Sequence, residues 1–328
     1  MLNKEIALIY RSHKKKRYSI ETLFSPLNNQ ENIKKIILPE DLNSIANFFK
    51  LWLFLVKIKQ KVIHITGDVH YVAVLLFWKK SIITVHDLNH YEALTGIRKF
   101  IYGFIWFYLP LKIANKIVAI SPYTKYQIQN YFDINEKKIS VVPNTFLKFQ
   151  SSTVSSSTID KSIFQILCIG NTENKNIDRL IEAVAGIDKV RIRLIGNQSA
   201  ETLNKLKCKR INFSMVSNLS RGELRDEYSS SNVLYFASTK EGFGLPILEA
   251  QSLGVPVITS NTTAMPYVAG ESAVIVDPYS VESIRESILL FVKREIDIEH
   301  LKEMGFKNIE RFALFNFIES YKNIYNGI

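Results

Sequence analysis

The chain reads as an α/β protein of two domains, each a parallel sheet with helices on both faces. Two features predict this. Short apolar runs rich in Ile and Val alternate with stretches of helical period along all 328 residues. Strands buried on both faces and joined by crossover helices have this pattern. Near the middle the alternation stops. Residues 148–162 read KFQSSTVSSSTIDKS, a Ser/Thr-rich stretch with little to bury, as expected of a linker or exposed loop. The series on either side predict two Rossmann-like domains, residues 1–150 and 163–310, joined by a linker at 151–162. Residues 311–328 form a helix candidate with aromatic residues on it, expected to pack back across the first domain.

Taken in order, strands are predicted in the first domain at 6–10, 36–38, 62–65, 82–85, 117–120 and 139–142, with helices between them such as 42–59 and 99–114. In the second domain, strands are predicted at 164–169, 190–195, 211–213, 233–236, 255–259 and 273–276. Helices at 177–185, 221–228, 245–253 and 281–292 separate them.

Composition sets limits. With 47% hydrophobic and 22% charged residues, both domains can hold a core. Cys168 and Cys208 are the only cysteines; they offer neither a disulfide framework nor zinc-ligand spacing, so a reducing, cytoplasmic setting fits. The first ten residues read as a strand rather than a signal peptide. The longest apolar run, residues 100–111, is short of the roughly 20 residues that span a bilayer. The net charge of +11 is lopsided. Residues 1–150 hold 22 Lys and Arg against 10 Asp and Glu, and the remainder nearly balances. A basic half attracts polyanions such as anionic lipid or pyrophosphate compounds. No nucleic-acid motif accompanies the charge, so nucleic acid is not an expected partner.

The most informative segment is residues 238–259, STKEGFGLPILEAQSLGVPVIT. It follows an apolar strand. Gly242 and Gly244 permit a tight turn and close ligand approach. Pro246 suits the first helical position, and Ile247, Leu248, Ala250 and Leu253 supply a packed face. A helix start at the carboxyl end of a parallel strand is a ready anion site. The backbone of Phe243, Gly244 and Leu245 is thus expected to cradle a phosphate. Glu241 lies in the loop, and Glu249, read as lying in the first helical turn, comes eight residues later. Both are placed to accept hydrogen bonds from sugar or ribose hydroxyls, but like charge keeps them off the phosphate.

EGFGLPILEA followed by GVPVI resembles the E-x7-E signature of glycosyltransferase family 4, retaining enzymes of GT-B fold. The resemblance covers nearly the whole second domain. Residues 166–185, ILCIGNTENKNIDRLIEAVA, look like the family's first donor-domain strand and helix, where an Arg and a Lys usually hold the donor pyrophosphate. Lys175 keeps the Lys role, whereas Asn171 or Thr172 fills the Arg position. An amide or hydroxyl replaces one hydrogen bond but not the charge. Residues 213–224 look like the segment carrying the nucleobase near Val216, and residues 268–278 are similar to the closing strand.

The first domain carries a thinner resemblance. ITVHDL, residues 83–88, delivers His86 and Asp87 to a strand's carboxyl end, where family members often carry a His near the donor sugar. IVAISPYTKYQI and VVPN match the usual lead into the linker. In HITGDVHY, residues 64–71, the His and Asp side chains suit an acceptor hydroxyl or diphosphate, or else Asp68 simply caps its own helix. The family's Gly-Gly loop after the first strand is missing, so Arg11 and Ser12 there, with Asp68 and His70, are the acceptor-binding candidates. The basic run Lys14, Lys15, Lys16 and Arg17 is a solvated loop or an attraction for lipid pyrophosphate or an anionic bilayer. The aromatic run FIYGFIWFY, residues 100–108, suits a core or a membrane-facing surface, and both readings stay open.

The resemblance implies a fold of two Rossmann-like domains facing each other across a cleft, and an α-retaining transfer without a metal. Asp-x-Asp, the metal motif of the other large transferase fold, does not occur in the chain. Lys175 and the helix start at 243–245 would stabilise the departing phosphate. Glu241 would hold the donor sugar, Glu249 the ribose, and His86 would position sugar and acceptor. No cofactor is implied. The implied partners are a UDP- or GDP-sugar, a saccharide or lipid-pyrophosphate-linked acceptor, and an anionic membrane surface on the cytoplasmic side. Surface polysaccharide assembly, of O-antigen or capsule, is the implied setting. A GT-B nucleotide-sugar 2-epimerase and a non-enzymatic basic module that binds membrane or polyanions are the alternatives.

Overall fold

Twelve strands and fifteen α-helices are laid out along the computed structural model, which describes residues 4–12, 19–39, 45–149 and 162–328. The basic run Lys14, Lys15, Lys16 and Arg17 lies outside these residues, as does the expected linker apart from Ser162. The chain divides into two compact units, Met1–Thr145 with Phe312–Ile328, and Phe146–Arg311.

The first unit is built on β1 (Ile6–Tyr10), β2 (Ile33–Ile37), β3 (Val62–Ile65), β4 (Lys80–Val85), β5 (Lys116–Ala119) and β6 (Ile139–Val141), all parallel, in the order β2-β1-β3-β4-β5-β6. Its helices are α1 (Ser19–Asn28), α2 (Ile45–Leu55), α3 (Val72–Leu75), α4 (Asn89–Ala93), α5 (Gly96–Tyr102), α6 (Leu109–Ile113) and α7 (Pro122–Phe132). Strand alternation sends Ile9, Ile63, Ile65, Ile83 and Ile117 to one face, where they meet Leu51 and Leu55 of α2, Val72 of α3, Leu111 of α6 and Phe132 of α7. Their neighbours Ile6, Leu8, Val62, Ile82 and Val118 go to the other face, against Phe24 and Leu27 of α1.

The second unit repeats the plan with β7 (Phe164–Ile169), β8 (Val190–Ile195), β9 (Asn212–Val216), β10 (Val233–Phe236), β11 (Val257–Ser260) and β12 (Val274–Val276), in the order β12-β11-β10-β7-β8-β9. Its helices are α8 (Ile177–Val184), α9 (Ala200–Cys208), α10 (Arg221–Ser229), α11 (Leu245–Ser252), α12 (Met265–Ala269), α13 (Val281–Val292) and α14 (Ile298–Ile309). After α14 the chain rejoins the first unit as α15 (Leu314–Asn326). Phe317, Tyr321 and Tyr325 of α15 complete the face of the first sheet that α1 covers.

Two predicted helices differ in outline. The one expected at 42–59 ends at Leu55, because Lys57 and Ile58 tighten into turn hydrogen bonds to Phe54 and Leu55 and lead into β3. The one expected at 99–114 is three pieces, with π-helical turns at Gly103–Tyr108 between α5 and α6. Gly103 sits there against a ring: a Cβ would come 2.6 Å from Tyr91 Cε2.

Candidate functional site

In an open parallel sheet, ligands bind beyond the carboxyl ends of the strands where the strand order reverses. In the second sheet that point lies between β7 and β10, since β8 goes to one side of β7 and β10 to the other. The loops leaving these two strands are 170–176 and 237–244, and they are stitched together. Asn174 Nδ2 donates to Lys240 O (2.8 Å) and to Glu241 Oε1 (3.1 Å), while Thr239 N donates to Asn174 O (2.9 Å). Lys175 Nζ pairs with Glu241 Oε1, and lies 4.6 Å from the Phe236 ring centroid. Asn176, buried with a left-handed backbone, anchors the first loop by donating to Ala237 O (3.1 Å) and Pro278 O (2.7 Å).

The second loop turns into α11 at Gly244, whose φ of +110° is a conformation side chains avoid. A Cβ there would also meet Met265 Cε at 2.8 Å. Gly244, the capping residue, has no side chain to bond the first N–H groups of α11, and that end of the helix carries partial positive charge. Leu245 rather than Pro246 is the first residue of α11. Gln251 is buried on its packed face and Leu253 is only half-buried, because Gln251 Nε2 donates to Ser272 Oγ (2.7 Å) while Leu253 already caps the helix.

Glu249 lies in the second turn of α11, not the first, and its carboxylate is largely buried. Tyr228 Oη donates to it (2.9 Å) and Arg221 stands 3.5 Å away. Burial raises its pKa, and the Tyr228 and Arg221 contacts oppose that rise. Phe149 and Arg221 stack beside it, 4.4 Å from ring centroid to guanidinium carbon. Tyr228, Arg221 and Asn174 are not among the expected site residues, although Asn174 adjoins Lys175 in the 166–185 segment and Arg221 lies in the 213–224 segment; Tyr228 comes from outside both segments. Asn171 and Thr172 are exposed; Asn171 Nδ2 donates to Asn197 O (3.0 Å). Val216 is half-buried at the carboxyl end of edge strand β9.

The first sheet reverses between β1 and β3. Beyond those strand ends lies a cavity of about 560 Å³ that brings together Arg11, Asp68, His70 and His86. Ser12 is buried nearby but is not part of its lining. Arg11 pairs with Glu21 (3.5 Å) and Asp68 (3.7 Å). His70 Nδ1 is 3.0 Å from Trp106 O, and burial lowers its pKa to about 4. His86 Nε2 is 2.7 Å from Thr66 O, and its pKa is also lowered by burial. Both rings are therefore neutral at pH 7. Tyr91, Tyr102, Trp106 and Phe107 form an aromatic wall that the sequence reading did not assign to a site. The spacing of Tyr102 and Trp106, four apart on one helical face, was the available signal.

His64 takes no part. It is buried in the α15 face of the sheet, Nδ1 at 2.7 Å from Tyr325 Oη and Nε2 at 2.8 Å from Thr84 Oγ1, and burial lowers its pKa to about 3. Asp68 does not cap a helix either, since α3 begins after Tyr71. Among the described residues no group of three His, Cys, Asp or Glu side chains is arranged to hold a metal ion, and no helix is long and apolar enough to cross a membrane.

Comparison with known proteins adds to this geometry. The family model for glycosyl transferases group 1 matches residues 151–309, and the model for glycosyltransferase family 4 matches residues 15–146. Solved structures align over nearly the whole chain. Anabaena HepE in complex with UDP and glucose has a TM-score of 0.80 at 14% identity, covering 99% of this chain and 100% of that one. The lipopolysaccharide outer core galactosyltransferase WaaB has a TM-score of 0.73 at 16% identity, with 99% and 100% covered. The fold is GT-B. In sequence, the chain resembles bacterial surface-polysaccharide glycosyltransferases. It is 36% identical over 98 residues to O-antigen chain mannosyltransferase B of Escherichia coli, 30% of this chain but only 26% of that protein. It is 28% identical over 274 residues to the capsular polysaccharide biosynthesis glycosyltransferase CapM of Staphylococcus aureus, covering 75% of this chain and 70% of CapM.

Proposed function

We propose that the chain is a retaining glycosyltransferase, moving a sugar from a nucleoside diphosphate donor to a saccharide or lipid-linked saccharide in surface polysaccharide assembly. The Lys175–Glu241 pair at the second sheet's switch point, beside the amino end of α11, carries this reading. A pyrophosphate arriving there gives Lys175 a doubly charged partner and frees Glu241 to accept hydrogen bonds from donor-sugar hydroxyls. Phe243, Gly244 and Leu245 present helix-start amides to the phosphate, Glu249 takes the ribose, and Val216 stands near the base. Asn171 contributes an amide where the family resemblance implies an Arg. In the transfer, the bond from the anomeric carbon to the phosphate oxygen breaks and the bond to the acceptor oxygen forms on the same face. The departing phosphate takes the acceptor's proton, so no protein nucleophile is needed. Lys175 and the helix start stabilise the charge that develops on that phosphate. The first unit's cavity, with Arg11, Asp68, His70 and neutral His86, is the acceptor site.

Calorimetric titration with UDP, GDP and ADP tests the donor site. One diphosphate should bind selectively and Glu249→Ala should weaken it. Lys175→Ala should weaken that diphosphate about tenfold more than its monophosphate, a difference of about 1.4 kcal/mol. Failure of all three to bind, or an unchanged ratio of diphosphate to monophosphate affinity, removes the assignment.

A further inference from the structure

The second unit buries three polar side chains where its helices meet: Gln251 of α11, Ser272 just past α12 and Asn308 of α14. Burying an amide is unfavourable unless each of its groups is bonded, and here each is. Gln251 Nε2 donates to Ser272 Oγ (2.7 Å) and to Ala269 O (3.3 Å). Asn308 Nδ2 donates to Gln251 Oε1 and to Val268 O, both at 2.8 Å. All four amide hydrogens are thus used. Asn308 Oδ1 accepts from Arg311 Nη1 (2.7 Å), Arg311 Nη2 donates to Tyr267 O (3.2 Å), and Ser272 Oγ donates to Ala269 O (2.6 Å). Two glycines leave space for the cluster. A Cβ on Gly270 would come 2.7 Å from Asn308 Oδ1, and one on Gly305 would come 3.3 Å from Gln251 Cγ.

The backbone carbonyls bonded in this way, those of Tyr267, Val268 and Ala269, are the carboxyl end of α12. A helix leaves its last carbonyls without partners of its own, and one of five residues does not hold itself together in isolation. Side chains from α11, from α14 and from Arg311 just beyond it therefore fix α12 at that end. At its other end α12 meets the loop that turns into α11. Met265, its first residue, is fully buried against Gly244, where a Cβ would lie 2.8 Å from Met265 Cε and 3.2 Å from its Sδ. Ile247 N closes that turn on Gly244 O at 3.0 Å. We propose that Gln251, Asn308 and Arg311 are positioning residues for the turn at Gly244. They clamp α12 so that Met265 keeps Gly244 and the first amides of α11 in one arrangement. Apolar side chains could fill the same space, but directed bonds to three successive carbonyls admit a single register. The positioning follows from the packing alone, whereas its effect on a ligand rests on the donor site proposed above.

Hydrogen–deuterium exchange of the full chain, read by mass spectrometry on peptides covering residues 242–252, tests the positioning without any ligand. Asn308→Asp keeps the shape and loses the Nδ2 donor, and Arg311→Ala acts at the outer end of the cluster. In each, the amides of the turn should exchange about tenfold faster than in the parent. Peptides spanning β7 and β8 should keep the parent's protection, and far-ultraviolet circular dichroism checks that each variant is folded. Met265→Ala should loosen the turn equally with the cluster intact, and adding Arg311→Ala to it should change little more. Calorimetric titration with UDP and UMP, GDP and GMP, and ADP and AMP reads the consequence. Asn308→Asp should weaken the diphosphate that the parent binds about tenfold more than its monophosphate. Folded variants whose turn exchanges at the parent's rate overturn the proposal. Protection lost evenly across the second unit also overturns it, since a merely structural cluster would act that way. If the turn loosens while no diphosphate binds the parent, or while the ratio of affinities stays at the parent's value, the donor reading falls and the positioning stands.

Discussion

Glu241 and Lys175 lie 66 residues apart in the chain and meet because β7 and β10 are neighbours in the sheet. Each holds the other's charge, so a ligand that recruits one releases the other. Glu241→Ala should therefore lower turnover by about a hundredfold or more, while affinity for the nucleoside diphosphate stays level or rises, because Lys175 loses its competing carboxylate. Steady-state kinetics beside calorimetry measures both, and equal turnover in variant and parent would remove Glu241 from its role. The two glutamates were legible in the sequence because spacing along a loop and helix is a local property. What holds Glu249 was not: Tyr228 and Arg221 belong to α10, and their approach depends on packing across the sheet. His86 was legible from its place after a strand, whereas His64, equally at home in a motif, proved to be core. Full burial beneath α15, with the partners Tyr325 and Thr84, sets His64 apart from His86, which lines the cavity, and Tyr325 lies 261 residues away.

At the scale of elements, the parallel strands were readable because burial on both faces leaves continuous apolar runs bounded by turns. Helix α9 was not singled out, since Leu206 alone is buried on it and its periodicity is faint. The π segment was illegible because its residues are compatible with an ordinary helix, and the extra residue per turn answers to packing such as Gly103 against Tyr91. Helix α15 has the clearest mechanical role. Its Tyr325 hydroxyl satisfies His64 Nδ1 inside the first unit. Tyr325→Phe keeps the ring and strands that nitrogen, which should cost about 1–3 kcal/mol. Urea unfolding followed by tryptophan fluorescence is the measurement; an unchanged midpoint would mean that the bond contributes nothing net.

Over the whole molecule, ionisable chemistry is unevenly shared. Three histidines whose pKa burial lowers, the buried His64 and His70 and the half-buried His86, all belong to the first unit. So do the three tryptophans, Trp52, Trp78 and Trp106, so their fluorescence reports on that unit alone. Below about pH 6.5 the unfolded chain binds protons that the folded one refuses until about pH 4 for His70 and about pH 3 for His64. Stability is then complete above pH 6.5 and falls as pH drops, by up to about 1.4 kcal/mol per unit for each such histidine. The urea midpoint by tryptophan fluorescence should be lower at pH 5 than at pH 7.5, and an equal or higher midpoint at pH 5 would refute the neutral burial. The placing of α15 bears also on how the protein is made. One face of the first sheet, with Leu8 and Val62, is covered in part by α1 and completed only by a helix encoded after the entire second unit. On the ribosome the unit begun first is finished last. The part of that face that α1 leaves open stays bare through the synthesis of the other unit, and a chaperone that shields nascent chains has its longest task there.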